Sequence, residues 1–279
     1  MFEQNGRKGL AASSDGCFFG LTEDKSDYPG DLDRLLAAGA SLPELEKKLR
    51  KAPAIDPAAI TYLPPLPRPG KIICLGLNYL EHVEEFDRQQ AAWPEIFARF
   101  ATSLVGHERP IIKPAASDCL DYEGEMVVVI GRAGRDISRE KALEHVAAYS
   151  IFNDASVRDF QRRGTQWTAG KNFDSTGGFG PWLVAAEALP AGGSGLKLTT
   201  RLNGRTMQAA STAQMIFDVA AQIAIVSQIM TLLPGDMLIT GTPGGVGQAR
   251  DPQVFMKAGD LCEVEIEGIG LLRNPVAAA

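Results

Sequence analysis

The feature that most constrains this chain is a valine-rich apolar run, Met126 to Ile130, entered directly from Asp121-Tyr-Glu-Gly-Glu125. β-Branched residues in series favour a strand. Residues two apart on a strand point to the same side, so Glu123 and Glu125 set paired carboxylates on one face at its start. Like charges that close drive one group to protonate unless a cation lies between them, and a divalent ion is the simplest such cation. A helix is predicted over Ser138 to Ala148, with Ser138 as N-cap and Glu140 in the first turn. A second apolar run, Tyr149 to Phe152, then leads to Asp154. A strand, a returning helix and another strand can bring Asp154 beside the first two acids. Three carboxylates with no interleaved Cys or His form an all-oxygen set, which favours Mg²⁺, Mn²⁺ or Ca²⁺ over zinc. Glu-x-Glu also occurs on solvated strand edges, so the spacing alone leaves that plainer reading open.

At 279 residues the chain can bury a sizeable core and suits one large domain, or a large one with a small one. A net charge of -6, spread along the sequence, argues against nucleic acid as the main partner. Cys17, Cys74, Cys119 and Cys262 stand apart without CxxC spacing and read as reduced thiols of a cytoplasmic protein. Residues 1 to 8 contain no apolar leader, and no run approaches the roughly 18 apolar residues of a membrane helix, so neither export nor membrane insertion is expected.

Residues 1–68 read as a small α/β module. A hairpin is predicted between Gly9 and Leu21 with Asp15-Gly16 as its turn. A short helix follows over Asp31 to Ala38, and the capping box Ser41-Leu-Pro-Glu44 opens another. Leu63 to Gly70 contains four prolines and reads as an extended linker. Residues 69–279 hold the features that bear on chemistry.

The run Lys71 to Gly76 reads as a buried strand, followed by a segment with His82 and Glu85. If that segment is helical, the three-residue spacing puts imidazole and carboxylate within reach of each other, a pair able to take a proton from water. The same spacing also describes a surface helix with ordinary charges. His107 and His145 read as structural or surface residues. Arg158 and Gln161 follow Asp154 by four and seven residues, one helical face, and an arginine fork with an amide suits a small carboxylate. Lys171 lies in an otherwise uncharged stretch, where lysines are usually solvated. Asn203-Gly204 marks a hairpin, and Met215 to Met230 a long amphipathic helix. The strand Met237 to Thr240 runs into Gly241-Thr-Pro-Gly-Gly-Val-Gly247, which lacks the lysine of a phosphate-binding loop, so nucleotide binding is rejected. Its amides and the Thr242 hydroxyl remain able to meet an anion. Strands outnumber helices, giving a strand-rich α+β fold with a curled, barrel-like sheet.

In order along the chain stand Gly76-Leu-Asn-Tyr79 with His82, Asp121-Tyr-Glu-Gly-Glu125, Asn153-Asp-Ala-Ser156 with Arg158-Asp159, Gly170-Lys171, Phe179-Gly-Pro-Trp182, Leu202-Asn-Gly204, Pro234-Gly-Asp236, Gly241 to Gly247 and Ile266-Glu-Gly-Ile-Gly270. Together they resemble the fumarylacetoacetate hydrolase superfamily over residues 70 to 275. The resemblance implies a β-roll catalytic domain, a homodimer, and Mg²⁺ or Mn²⁺ held by Glu123, Glu125 and Asp154. It also implies a small 2-oxo acid substrate, a lid pair matching His82 and Glu85, a lysine matching Lys171, and substrate contacts matching Arg158, Gln161 and Thr242. Two departures bear on substrate choice: Phe97-Ala-Arg-Phe100 replaces a common Phe-Leu-Lys-Pro pattern, and Glu84 to Gln90 adds acidic and glutamine residues to the lid.

The expected reaction is metal-dependent hydrolysis of a C–C bond in a 2,4-dioxo acid of the acylpyruvate or fumarylpyruvate type, in aromatic or sugar acid catabolism. Two alternatives keep the same site: decarboxylation of a β-keto acid such as oxaloacetate, and hydratase or isomerase chemistry on an unsaturated 2-oxo acid. A metal-dependent binding or scaffolding protein without turnover is a third.

Overall fold

The computed structural model describes residues 1–14, 16–85 and 92–279. Its centre is a seven-stranded mixed sheet in the order Glu95–Arg99, Ile72–Gly76, Met237–Ile239, Gly124–Ile130, Val146–Asp154, Gly177–Ala185 and Leu104–Val105. A five-stranded sheet, in the order Arg205–Ser211, Lys197–Leu202, Leu261–Ile266, Gly270–Ala278 and Ile111–Lys113, packs beside it. The strand-rich α+β architecture with a curled sheet is therefore as the sequence indicates.

The valine run lies at the middle of the larger sheet with every residue buried. Side chains alternate across a strand, and the run splits accordingly. Met126, Val128 and Ile130 join a core with Leu198, Val264, Ile266 and Leu272 of the second sheet and Ile223 and Val226 of a helix. Val127 and Val129 join another with Phe152, Phe179, Met237 and the N-terminal leucines Leu10, Leu32, Leu36 and Leu49. Covering both faces is what requires an uninterrupted apolar strand.

Residues 2 to 62 contribute a sheet of their own, ordered Ala54–Ile55, Cys17–Thr22, Arg7–Ser14, Phe2–Gln4 and Thr61–Tyr62. Arg7–Ser14 and Cys17–Thr22 form the expected antiparallel hairpin; its turn residue Asp15 lies outside the described residues, as does the lid insertion from residue 86 to 90. Two short helices follow, Leu32–Ala37 and Leu42–Leu49. Asn203 and Gly204 both take positive φ, 51° and 77°, and close the predicted hairpin between Lys197–Leu202 and Arg205–Ser211.

Two helix expectations need correction. In place of an α-helix over Ser138 to Ala148 there is a 3-10 segment, Arg139–His145, and Val146 already belongs to the next strand. Val146 to Ala148 pair with Val129 and Ile130, so sheet pairing outcompetes local helix propensity there. The methionine-rich helix is likewise shorter, Val219–Ile229, because Asp218 caps it by accepting from the Ala221 amide; Thr212–Gln214 is a separate 3-10 turn.

The strand that carries Asp154 runs antiparallel to the valine strand, with Gly124 opposite Asn153. Phe152 sits beneath this junction, fully buried, 6.2 Å from the Phe179 ring and 5.4 Å from the Arg99 guanidinium. Truncating such an aromatic removes its transfer energy and leaves a cavity. Phe152→Ala is expected to cost about 3–5 kcal/mol, read as a lower denaturant midpoint at unchanged slope.

Candidate active site

Register puts the three acids together. The amide of Asp154 donates to the Glu123 carbonyl at 2.8 Å, and the Asn153 side chain accepts from the Glu123 amide at 3.0 Å. These bonds fix where each strand ends. Glu123, Glu125 and Asp154 are buried and offer one oxygen each, all within 4.8 Å of one another. The site thus needs no returning α-helix, only the antiparallel pair.

Cations enter between the acids. Lys171 Nζ donates to Glu123 Oε2 and to Asp154 Oδ2, both at 2.6 Å. Arg158 Nη1 lies 2.7 Å from Glu123 Oε1, and its Nε donates to Asp121 Oδ2 at 2.9 Å. Lys171 is not the solvated lysine its neighbours in sequence indicate; it is 1% exposed. Two short helices, Arg158–Gln161 and Thr168–Lys171, present these residues. They can touch because residue 170 is glycine: a Cβ there would sit 2.5 Å from the Gln161 amide nitrogen.

The electrostatics follow from burial. Desolvation pushes the Glu123 carboxyl upward, but Lys171 and Arg158 outweigh it and hold the pKa down at about 2. Glu125 goes the other way: burial, then the neighbouring charges of Asp154 and Glu123, lift it well above the usual carboxylate range. Burial lowers the Lys171 pKa, yet Asp154 and Glu123 raise it further and keep the ammonium charged. One carboxyl of the three is therefore the natural holder of a proton, and a divalent ion would replace it. The donor set, oxygen throughout with no sulfur or imidazole, fits Mg²⁺ or Mn²⁺.

The remaining expected residues gather around one cavity of about 270 Å³, whose wall includes His82, Glu123, Glu125, Arg158, Gln161, Lys171 and Thr242. His82 stands on the helix Leu80–Glu84, reached through Leu77, whose φ of 55° is rare for a leucine. Its Nδ1 is 3.2 Å from Glu85 Oε2. The other oxygen of Glu85 accepts from the Gly245 amide, which ties the helix to the glycine-rich loop. Glu85 is not part of the cavity wall; His82 is. Gln161 Oε1 accepts from Arg158 Nη1 at 3.0 Å. Thr242 donates its hydroxyl proton to the Gly124 carbonyl at 3.0 Å and accepts from Gln208 at 2.8 Å, so the hydroxyl is already engaged on both sides. His145 and His107 are structural: the first meets the Arg132 carbonyl at 2.9 Å, the second accepts from the Arg273 amide at 3.1 Å.

Several residues escape a reading by motif. Arg99 donates to Asp154 Oδ1 at 2.5 Å and to Ser103 and Thr176, and its side chain is fully buried. Its signal was the departure from Phe-Leu-Lys-Pro, where an arginine at the end of an apolar strand has to find a buried acid. Asp121 accepts from the Gly247 and Gln248 amides at 2.8 and 2.9 Å as well as from Arg158, so a single carboxylate joins the loop to the arginine. Phe97 and Trp167, 5.3 Å apart edge to face, form the aromatic side of the cavity.

The fumarylacetoacetate (FAA) hydrolase C-terminal family matches residues 71–277. The chain belongs to the fumarylacetoacetate hydrolase family. It is 37% identical over 272 residues to the human mitochondrial oxaloacetate tautomerase FAHD2A, covering 96% of this chain and 86% of that protein. Among solved structures, the fumarylacetoacetate hydrolase of psychrophilic Exiguobacterium antarcticum superposes with a TM-score of 0.88 at 37% identity, covering 100% of this chain and 98% of the other. A 2-hydroxyhepta-2,4-diene-1,7-dioate isomerase from Mycobacterium marinum gives 0.71 at 38% identity, with 81% of each chain covered. Members of the family act on small keto acids.

The likeness to the human protein overturns the expected acylpyruvate hydrolysis: aligned over 96% of this chain, it is named an oxaloacetate tautomerase. The His82–Glu85 pair does not separate the two reactions, since each Glu85 oxygen keeps a second lone pair beyond its contact with His82 or Gly245. The His–Glu spacing looks the same for either reaction.

If the triad holds the metal, saturating Mg²⁺ at a hundred times its Kd adds about 2.7 kcal/mol to folding. Wild-type protein should then melt several degrees higher with Mg²⁺ than with a chelator. Glu123→Gln and Asp154→Asn should each abolish that difference in a thermal melt.

Proposed function

We propose that this protein catalyses enol–keto tautomerisation of a small 2-oxo dicarboxylic acid of the oxaloacetate class. The observation that carries this reading is Arg158 Nη2, a buried guanidinium nitrogen with no hydrogen-bond partner among the described residues, on a side chain that lines the cavity together with His82, Glu123 and Glu125. A buried donor left unmatched costs roughly 1–3 kcal/mol. A ligand carboxylate satisfies it with a hydrogen bond between two ionised groups.

The reaction moves one proton: the enol O–H at C2 is lost, C3 gains a proton, and the C2=C3 double bond becomes a carbonyl. No water is consumed and no bond between heavy atoms breaks. A divalent cation held by Glu123, Glu125 and Asp154 would supply Lewis-acid polarisation of the 2-oxygen and a template for the adjacent carboxylate. Arg158 orients the C1 carboxylate through Nη2 while Asp121 and Glu123 fix its other nitrogens. His82, oriented by Glu85, exchanges the proton, since an imidazole is the side chain best matched to neutral pH. Lys171 places positive charge beside the developing enolate, and a preorganised charge of that kind is often the largest catalytic contribution. Gln161 holds the Arg158 fork, and Thr242 holds the backbone at Gly124, so both act through position.

The names of the relatives support this reading. Oxaloacetate and a hepta-2,4-diene-1,7-dioate are both dicarboxylates, and tautomerase and isomerase name the same kind of step, a proton shift without hydrolysis.

Mg²⁺-restored protein should speed the decay of the oxaloacetate enol absorbance, with the keto form captured by a reductase and NADH. Release of carbon dioxide without faster enol decay would sink the proposal. His82→Ala is expected to lower kcat by about 10²–10⁴-fold while the Mg²⁺-dependent rise in melting temperature stays intact.

A further inference from the structure

Three cations line the cavity, and they are not equivalent. Lys171 is spent on Glu123 and Asp154, and Arg158 on Asp121, Glu123 and Gln161. Arg162 also lies on the wall, yet it makes no ion pair or side-chain hydrogen bond among the described residues, and it is solvent-exposed. It caps the helix Arg158–Gln161 one turn beyond Arg158. Residues four apart share a helix face, separated by about one 5.4 Å pitch. The next residue, Arg163, is turned elsewhere, with its guanidinium 3.5 Å from the Phe160 ring centroid. The sequence pair Arg162-Arg163 is thus divided between the cavity and the surface.

We propose that Arg162 is the specificity-determining residue that receives the distal carboxylate of the substrate, while Arg158 takes the carboxylate beside the 2-oxo group. A four-carbon dicarboxylate carries its two charges at a separation comparable to one helical turn, the rise between these two backbone positions. The aromatic faces of Phe97 and Trp167 line another part of the cavity and suit a carboxylate poorly. A monocarboxylate of the same length leaves Arg162 with solvent alone. The inference rests on the dicarboxylate reading above, and it assigns a residue to the half of the substrate where no proton moves.

The test is calorimetric binding to Mg²⁺-loaded protein of two probes, oxaloacetate and pyruvate, which share the 2-oxo carboxylate and differ by the distal carboxylate. Turnover of oxaloacetate and of its 4-methyl ester is measured alongside. A charge-assisted hydrogen bond predicts that wild-type protein binds oxaloacetate about 10- to 100-fold more tightly than pyruvate. Arg162→Ala should erase that preference by weakening oxaloacetate alone, raising KM for oxaloacetate more than it lowers kcat and leaving the ester unaffected. Arg162→Lys should restore part of it as a point charge without the fork. Arg163→Ala should behave as wild type. A preference that survives Arg162→Ala, or a loss shared equally by both probes, overturns the proposal. Collapse of the binding preference in a protein that does not tautomerise oxaloacetate leaves Arg162 assigned and removes the tautomerase reading. Equal turnover of oxaloacetate and its ester by wild-type protein removes Arg162 and leaves that reading standing.

Discussion

The whole site depends on one electrostatic constraint: four carboxylates, Asp121, Glu123, Glu125 and Asp154, are buried within reach of three cations, Arg99, Arg158 and Lys171. An unpaired buried charge is expensive, so a fold that hides these acids must either supply matching cations or hold a proton on one of them. It does both. Three acids are paired, and Glu125, buried beside two neighbouring carboxylates that outweigh Lys171 and the Gly241 amide, is pushed toward its neutral form. A proton on Glu125 offsets the formal excess of one negative charge, and a divalent ion would take that proton's place. The site is stable without being finished.

The sheets are shaped to meet that constraint. Glu123 and Asp154 stand where two antiparallel strands stop, and the cations come from three other places: Arg99 from an outer strand of the same sheet, Arg158 and Lys171 from a helix pair. Asp154 illustrates how far this goes. Oδ1 is held by Arg99 and Oδ2 by Lys171, so its carboxylate plane is set by groups 55 and 17 residues away in sequence. Side chains fixed that firmly lose their rotamer freedom during folding, before any ligand arrives.

The acids were readable because their placement is local. Two residues of spacing on a strand and the end of the next apolar run are enough to locate Glu123, Glu125 and Asp154 without knowing the fold. The same holds for the valine strand, both hairpins and the His82–Glu85 pair. What escaped depends on long-range pairing. Val146 to Ala148 carry helix-compatible residues and became strand because Val129 and Ile130 pair with them. Lys171 looked solvated because its acids are 17 and 48 residues away. Arg99 registered only as a broken motif, and Arg162 left no trace at all, since nothing in an Arg-Arg dipeptide says which guanidinium faces a cavity. The reaction was misjudged for a related reason: a histidine beside a glutamate has one spacing for several chemistries.

Asp121 has a mechanical consequence. By holding Arg158 on one side and the Gly247 and Gln248 amides on the other, it ties the helix that carries the arginine to the glycine-rich loop as one frame. Outward drift of either the arginine or the loop lengthens a buried charge-assisted bond that has no solvent to replace it. The elastic compliance of this part of the molecule is therefore concentrated at one aspartate.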